Sequence, residues 1–505
     1  MSETMIAGID QGTTSTRCMI FDSQGRTRSL AQREHHQVFP QPGWAEQDAD
    51  EIWRHVRHLV PEALAQAGIG PGQVAALGIA NQRETSVVWD RTTGRTVAPA
   101  ITWQDTRTSA IIDDLVARGT AGRIAEVTGL QPRTYFAGPR LRWLLDHGRG
   151  LRARAEAGEL LFGTMESWLI WNLTGGVDTG VHVTDVTNAS RTMLMDLSSR
   201  EWDESMLDLL DVPRAVLPTI RSNAEVYGTC VAPLPGVPIA GALGDQQAAL
   251  FGQTCFEPGD AKCTYGTGAF LLVNAGSERP TPGPSVLPTV GYELGDDDPV
   301  YAVEGSIAMA GSLVQWLRDS LEIIPSAPQV ETLARSVDHN GGCYIVPAFS
   351  GLYAPRWDQD ARGVIVGLTS FVTKAHLARA VLEATAWQTW EVVEAIGREL
   401  GLTLETLRVD GGMTSNHLLM QMLSDVLDVP VERPLVSETV CLGAAYAAGL
   451  TVGFWSDLAA LRHHRHVAAV WRPQMDADVR AREAAQWNRA VDHALGWVVP
   501  HTSPD

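Results

Sequence analysis

The sequence predicts an α/β protein built from two similar halves. Strand and helix signals alternate along the chain, and this alternation is typical of partly parallel sheets covered by helices. Two segments, 6–22 and 261–273, each place apolar runs on both sides of a Gly/Thr turn, which predicts a β-hairpin in each half. Because 505 residues exceed what one core usually covers, we expect two domains, 1–250 and 251–505.

In the first half, the hairpin extends from Ile6 to Asp22. The apolar run Ile239–Leu243 predicts a buried strand that comes shortly before the second half. Stretches rich in Pro and Gly at 232–238 and 280–299 predict loops.

In the second half, Thr373 is the predicted N-cap of a helix that runs towards Gly401. Its apolar face recurs at helical spacing through Leu377, Val381, Ala384 and Trp387. A short strand is then expected at Leu407–Asp410, followed by a glycine turn, a helix from about Asn416 and a further strand at Val429–Val431.

Composition narrows the classes of function. The chain has 39 basic and 59 acidic residues and a net charge of −20, so its own field opposes a nonspecific hold on nucleic acid phosphates. The six cysteines form no CxxC pair, which favours free, buried thiols in a reducing compartment. The start at Met1 has no basic segment followed by an apolar one, and no apolar run approaches the ~18 residues of a membrane span. We expect a cytoplasmic protein without membrane insertion.

The first hairpin has the pattern of a phosphate site that lacks a lysine. The chain contains only two lysines, and neither precedes Ser or Thr, which excludes the GxxxxGK[ST] loop. Asp10 stands at the end of the first apolar run, before Gly-Thr-Thr. The turn can offer N–H groups and hydroxyls to phosphate, Asp10 can hold hydrated Mg²⁺, and Arg17 can supply a bidentate cation. The alternative is a surface hairpin with a structural Asp.

A second candidate is the acid in Gly244-Asp245-Gln246. Asp245 lies between an apolar strand and an apolar helix, where a partly dry cleft can tune the pKa of a catalytic base. The alternative is a helix N-cap.

A third candidate is the pair Arg83-Glu84 in the segment from Asn81 to Trp89. Neighbours on a strand point in opposite directions, so both side chains reach one ligand only if the chain turns there. Donors from Arg83 and acceptors from Glu84 suit a neutral polyol; the alternative is a surface ion pair. Histidines also cluster, but without Cys or carboxylate partners at ligand spacing we interpret them as solvated or core residues.

Eight segments stand in order between about Ile6 and Trp455. They are DQGTTSTR from Asp10, NQRETSVVWD from Asn81, TWQDTRT from Thr102, HVTDVTNASRTML from His182, GDQQAALFGQ from Gly244, TYGTGAF from Thr264, GLYAPRWDQDARGVIVGLT from Gly351 and DGGMTSN from Asp410. Together these segments resemble the FGGY family of carbohydrate kinases. The segment from Asn81 is particular to the glycerol-specific members.

The resemblance implies two ribonuclease H-like domains of the actin and Hsp70 ATPase type, with ATP in the cleft between them. It implies ATP-dependent phosphorylation of glycerol to sn-glycerol 3-phosphate with release of ADP, in a homodimer or homotetramer. The implied glycerol residues are Arg83, Glu84, Tyr135, Asp245 and Gln246, with Trp103 and Phe270 against the carbon atoms and Asp245 as the base. The implied ATP residues are Thr13, Thr14, Ser15, Arg17, Thr267, Gly311, Gln315, Gly412 and Asn416, with Asp10 for Mg²⁺.

Other functions remain as alternatives. A kinase for a longer polyol or ketose would need a roomier pocket than Trp103 and Phe270 leave. A nucleotide-dependent binding or filament-forming protein would lack the polyol residues, and a pseudokinase would lack Asp10 or Asp245. The loop 229–238 has neither Arg nor His, so we expect neither the fructose 1,6-bisphosphate control nor the histidine phosphorylation known in some members.

Overall fold

The computed structural model describes residues 3–498. The strands of the first half are β1 (Met5–Gln11), β2 (Ser15–Phe21), β3 (Thr27–Glu34), β4 (Glu46–Gln47), β5 (Val74–Asn81), β6 (Val87–Asp90), β7 (Ala100–Ile101), β8 (Leu160–Gly163), β9 (Val183–Asp185), β10 (Thr219–Arg221), β11 (Gly228–Thr229) and β12 (Pro238–Gly244). The helices are α1 (Ala49–Ala67), α2 (Ser109–Ala117), α3 (Ala121–Thr128), α4 (Ala137–His147), α5 (Leu151–Glu156), α6 (Met165–Leu173), α7 (Val186–Ala189), α8 (Glu204–Leu210) and α9 (Asp245–Gly252), with 3₁₀ turns at Pro71–Gln73 and Arg214–Val216.

The second half continues the same alternation. Its strands are β13 (Ala261–Tyr265), β14 (Ala269–Gly276), β15 (Leu287–Tyr292), β16 (Val300–Ile307), β17 (Tyr344–Val346), β18 (Val364–Val366), β19 (Leu407–Asp410), β20 (Val431–Pro434) and β21 (Val467–Trp471). Its helices are α10 (Gly311–Asp319), α11 (Gln329–Ala334), α12 (Lys374–Leu400), α13 (His417–Leu427), α14 (Thr439–Thr451), α15 (Leu458–His464) and α16 (Ala477–Asp492), with a 3₁₀ turn at Gly412–Ser415.

The main sheets of the two halves share five strands of the same topology. The first sheet has the order β11-β12-β5-β1-β2-β3 and the second β15-β16-β14-β13-β19-β20-β21. In each sheet a hairpin pairs antiparallel with a third strand on one side, and two parallel strands follow on the other side. Both predicted hairpins are therefore confirmed, as β1–β2 and β13–β14. The carboxyl ends of the parallel strands meet at one edge of each sheet, where ligands usually bind in open α/β sheets.

The long helix predicted in the second half is confirmed. Thr373 is its N-cap, and Gly401 ends it in the left-handed conformation with φ 67°, as expected for a helix that ends in glycine. The strand at Leu407–Asp410 is confirmed as β19, and Asn416 caps α13 through its side chain. The next strand begins at Val431 rather than Val429.

The loop prediction for 280–299 was wrong in part, because β15 (Leu287–Tyr292) lies within it. All six residues of β15 are buried, and Leu287 and Val290 join a core cluster that is mainly made by the first half. Pro288 is tolerated because β15 is an edge strand. Long-range packing of this kind overrides the local Pro and Gly content.

Helix α14 belongs to the second half in sequence but packs on the first sheet. Its alanines join a core cluster with Ile6 and Ala240. The approach is close enough that a Cβ at Gly241 would lie 2.6 Å from the backbone nitrogen of Ala448. Helix α14 also packs against α9, which spans the predicted division at residue 250.

Candidate active site

A cavity of about 210 Å³ lies between the two halves. The seven residues that the resemblance assigns to glycerol all line it, and they are Arg83, Glu84, Trp103, Tyr135, Asp245, Gln246 and Phe270. Thr13 from the turn of the first hairpin lines it too. Segments far apart in the chain thus meet at the carboxyl ends of β5 and β12.

Arg83 and Glu84 both reach the cavity because the chain turns directly after β5. Glu84 has φ 61°, and the N–H of Thr85 donates to the carbonyl of Arg83 at 2.7 Å. Both side chains are buried, so the alternative of a surface ion pair was wrong.

Asp245 is the first residue of α9, and Gly244 rather than Asp245 is the N-cap. Its carboxylate accepts from the N–H of Gln246 at 2.7 Å and lies 3.3 Å from Nε of Arg83. Burial raises the pKa of Asp245, and the charges of Arg83 and Lys262 oppose that rise. The carboxylate is thus a stronger base than an exposed aspartate, at a position open to the cavity.

The aromatic residues connect the cavity to the first hairpin. The rings of Trp103 and Phe270 lie edge to face, with centroids 6.2 Å apart and planes at 81°. The indole N–H of Trp103 donates to Oγ1 of Thr13 at 2.9 Å. An apolar wall therefore stands beside the polar groups, as expected for a ligand with both hydroxyls and C–H edges.

Buried ionic groups that the sequence analysis missed lie behind the cavity. Glu304 accepts from Arg83 and also from Nη2 of Arg191 at 3.0 Å. Nε of Arg191 donates to Oε1 of Glu84 at 2.8 Å, and Nη2 donates to the hydroxyl of Tyr135 at 2.9 Å. Burial alone would raise the pKa of Glu304, but the guanidiniums of Arg191 and Arg83 lower it to about 2. The polar wall of the cavity is therefore held by fixed charges.

Arg140 on α4, which the sequence analysis also missed, connects three segments of the site. It is fully buried and donates to the backbone carbonyls of Glu84 at 3.2 Å, Tyr135 at 2.8 Å and Trp103 at 2.7 Å. Burial lowers its pKa to about 10. One side chain thus fixes the backbone at three residues that line the cavity.

The sequence analysis also missed Lys262 as a residue of the site. It is fully buried, and its ammonium group donates to Oε1 of Gln246 and, at 3.0 Å, to Oγ1 of Thr264. Burial lowers the pKa of Lys262. This lysine belongs to no phosphate loop, yet it brings a positive charge close to Asp245.

The turn of the first hairpin is held by its neighbours. The carbonyl of Thr13 accepts from Nε2 of Gln47 at 2.5 Å. Thr14 is exposed, whereas Ser15 is buried and its hydroxyl accepts from Gln32 at 3.1 Å. Of these predicted ATP residues, Thr13 and Thr14 are thus better placed than Ser15 to meet a phosphate.

Arg17 and Asp10 form part of an ionic group beneath this turn. Nη1 of Arg17 lies 3.2 Å from Oδ2 of Asp10 and 2.6 Å from Oε2 of Glu438. Burial raises the pKa of Asp10 to about 7 against the lowering effect of Arg17, and Asp245 and Glu438 raise it further.

Asp10, Glu438 and Asp245 together carry more negative charge than Arg17 neutralises. A divalent cation bound at Asp10 would neutralise this charge more fully than Arg17 does. Mg²⁺ is commonly bound through one or two carboxylates together with water and substrate phosphates, and Asp10 supplies one such carboxylate. Within residues 3–498 no group of three or more His, Cys, Asp or Glu side chains is arranged to hold a metal ion.

A second cavity of about 360 Å³ lies in the second half. It is lined by the five remaining predicted ATP residues, which are Thr267, Gly311, Gln315, Gly412 and Asn416. Gly311 is required there, because a Cβ would lie 2.5 Å from the carbonyl oxygen of Gly266. The first turn of α10 is fixed to the second hairpin, since the N–H of Ser312 donates to the carbonyl of Thr267 at 3.0 Å. The result is a pocket between a Gly-rich hairpin and two helix starts.

All six cysteines are free and buried, as predicted. Within the described part of the chain, no helix is both long and apolar enough to cross a bilayer.

Comparison with known proteins gives the family. The model of the FGGY family of carbohydrate kinases matches residues 5–252 with its N-terminal domain and residues 261–452 with its C-terminal domain. The chain therefore belongs to the FGGY family of carbohydrate kinases. The predicted fold class, two ribonuclease H-like domains of the actin and Hsp70 type around a cleft, is confirmed.

Several named relatives are similar over nearly the whole chain. "Glycerol kinase 2" of Streptomyces avermitilis is 60% identical over 493 residues, with 97% of each chain covered. "Glycerol kinase" of Nocardia farcinica is 58% identical over 498 residues, covering 97% of this chain and 99% of its own. The crystal structure of Plasmodium falciparum glycerol kinase with ADP matches with a TM-score of 0.92 at 36% identity, covering 98% of each chain. A xylulose kinase of Lactobacillus acidophilus, at 21% identity and a TM-score of 0.85, shares the fold.

Proposed function

We propose that the protein transfers the γ-phosphoryl group of ATP to glycerol and forms sn-glycerol 3-phosphate and ADP. One observation carries the proposal. The cavity brings Arg83, the carboxylates of Glu84 and Asp245, and the rings of Trp103 and Phe270 together beside the first hairpin. The chain is 60% identical to a protein named glycerol kinase.

The polar wall suits a neutral polyol. Each hydroxyl of glycerol both donates and accepts hydrogen bonds, and Arg83 supplies donors while Glu84 and Asp245 supply acceptors. Trp103 and Phe270 would cover the C–H edge. Because Glu304 and Arg191 already hold Arg83 and Glu84, little side-chain entropy is lost when glycerol binds.

Asp245 would accept the proton of the attacking hydroxyl. The oxygen of that hydroxyl would form a bond to the γ-phosphorus while the bond from that phosphorus to the β–γ bridging oxygen breaks and ADP leaves. The raised pKa of Asp245 suits proton acceptance near neutral pH. Lys262, next to Gln246, adds positive charge on this side of the cleft.

The nucleotide would lie between the two hairpins. Thr13, Thr14 and Arg17 on one side and Thr267 on the other would contact the phosphates, and the second cavity would take the nucleoside. Asp10 would hold Mg²⁺, which when bound neutralises negative charge on the phosphates. Arg17 would then exchange its contact with Asp10 for one with a phosphate.

Three finer assignments are part of the proposal. We propose a division into domains near residue 250, a homodimer or homotetramer, and a cytoplasmic location. Light scattering of the purified protein would test the oligomeric state, and limited proteolysis would test the division.

The reaction is tested by product analysis. Purified protein is incubated with MgATP and glycerol, ADP release is followed, and the product is identified by ³¹P NMR. Erythritol and xylulose serve as longer acceptors, and a reaction without acceptor measures ATP hydrolysis. We expect glycerol to give the highest kcat/KM. A preference for xylulose would favour the longer-substrate kinase, and nucleotide binding without any transfer would favour the binding protein.

A further inference from the structure

The cavity beside Asp245 is larger than glycerol requires, contrary to the expectation that Trp103 and Phe270 leave no room for a longer substrate. One ordered water needs on the order of 10–15 Å³ of cavity, so about 210 Å³ is more than a molecule of three carbon and three oxygen atoms fills. The part of the lining that no glycerol residue accounts for includes Arg133, Tyr353 and Trp357. We call the part of the cavity lined by these three residues its extension.

Arg133 is a cation without a partner in this extension. Among residues 3–498 its guanidinium has no hydrogen bond and no carboxylate within 4 Å, and its Nε is buried without an acceptor. Burial lowers the pKa of Arg133, and the only groups that oppose this are two tyrosines. By contrast, Arg83 at the same cavity and Arg191 behind it each form two ion pairs with carboxylates. A bound anion would compensate the charge of this partly desolvated guanidinium and accept hydrogen bonds from its free donors.

Trp357 orients this guanidinium. Cζ of Arg133 lies 5.4 Å from the ring centroid of Trp357, in the range of a cation–π contact. The indole N–H of Trp357 donates to the carbonyl of Ser285 at 2.8 Å, and the ring stacks on Tyr353 with centroids 6.1 Å apart. A fixed ring on one face leaves the edge of the guanidinium for a planar anion.

Charge and shape favour a carboxylate over a phosphate. The same cavity contains Glu84 and Asp245, which repel a dianion more strongly than a monoanion. A carboxylate also matches the two parallel donors of a guanidinium.

We propose that Arg133 forms a carboxylate subsite continuous with the glycerol subsite, and that the protein also phosphorylates polyhydroxy monocarboxylic acids of four or five carbons. The carboxylate binds Arg133 while the terminal hydroxyl at the other end lies at Asp245. The hydroxyl oxygen attacks the γ-phosphorus of ATP, ADP leaves, and the proton passes to the carboxylate of Asp245. This inference rests on the proposed function for its transfer step.

The test compares acids with neutral polyols of equal length. ADP release with MgATP is measured with erythronate against erythritol and with ribonate against ribitol, for wild type, Arg133→Gln and the control Arg57→Gln. Arg57 is an exposed arginine on α1, outside the cavity. Glycerol is measured in parallel, and the melting temperature of each variant verifies folding.

We expect at least one acid to exceed its neutral counterpart tenfold in kcat/KM. Arg133→Gln should lower kcat/KM for that acid at least tenfold more than for glycerol, and Arg57→Gln should change neither. Equal rates for acid and neutral polyol, or equal losses on acid and glycerol in Arg133→Gln, would overturn the subsite. Inhibition by the acid without turnover would overturn the proposed phosphorylation of the acid. If the wild-type protein were inactive on glycerol, the proposed function itself would be rejected. Failure of the subsite and failure of the proposed function are therefore distinguishable.

Discussion

Replacing Arg140 with Met should loosen the glycerol site and destabilise the protein. The substitution removes the hydrogen bonds to the carbonyls of Glu84, Trp103 and Tyr135. A hydrogen bond from a charged group contributes ~1.5–3 kcal/mol. Against this, holding the guanidinium charged where its pKa falls from 12.5 to about 10 costs roughly 3 kcal/mol. We expect a net loss of about 1.5–6 kcal/mol in the free energy of unfolding.

The kinetic effect should be selective. All three carbonyls belong to residues at the glycerol cavity, whereas Arg140 is not among the residues that line the nucleotide cavity. Arg140→Met should therefore raise KM for glycerol by about tenfold or more, which corresponds to ~1.4 kcal/mol, and change KM for ATP much less. Arg140→Lys keeps the charge but has fewer donors in a fixed geometry, so its effect should be intermediate.

Urea unfolding and initial rates at varied glycerol and varied ATP measure both effects. Arg142→Met is the matched control, because Arg142 lies on the same helix and faces Asp146 at 3.6 Å near the surface, a pair that contributes ~1 kcal/mol or less. The reasoning is refuted if Arg140→Met unfolds at the same urea concentration as the control and keeps the wild-type KM for glycerol.

Three further predictions concern charge. Glu304→Gln leaves Arg83 and Arg191 buried without a full countercharge, so urea unfolding should show a loss of roughly 3–5 kcal/mol; a loss below 1 kcal/mol would contradict the network. A general base must be deprotonated to act, and the pKa of Asp245 is raised above the 3.8 of an ordinary aspartate. As the pH is lowered, kcat/KM should therefore begin to fall at a higher pH than it would with an ordinary aspartate as the base. A profile flat down to pH 4 would exclude this base. Removal of Mg²⁺ with EDTA should abolish ADP release, and Asp10→Asn should raise the Mg²⁺ concentration for half-maximal rate; full activity in EDTA would reject the metal assignment.

The sequence predicted the parts of the fold that local patterns determine. Both hairpins, the capped helix from Thr373 and the strand before Asp245 follow from periodicity and turn residues within short windows. The strand at Leu287–Tyr292 was missed because it is stabilised by packing on the first half rather than by its own composition. Local pattern thus fails where burial comes from distant segments.

The same distinction holds in the site. Residues at the cavity surface stand in recognisable segments, so Arg83, Glu84 and Asp245 could be selected before the structure was known. Glu304 lies inside a buried strand and Arg140 inside a helix, and each contacts at least one partner more than 50 residues away. Arg191 does stand in one matched segment, but its contacts with Glu84 and Glu304 exist only in three dimensions. The buried residues that hold the cavity lining in place could therefore be identified only from the structure.

The most direct test of the central claim is the rate of glycerol-dependent ADP release by Asp245→Asn, measured together with its affinity for ATP. Loss of a general base costs ~10²–10⁴ in rate, while the nucleotide contacts lie on other residues. We predict a fall in kcat of at least a hundredfold with the Kd for ATP within about threefold of wild type. A variant that retains a third or more of the wild-type kcat would contradict Asp245 as the base and the phosphoryl transfer built on it.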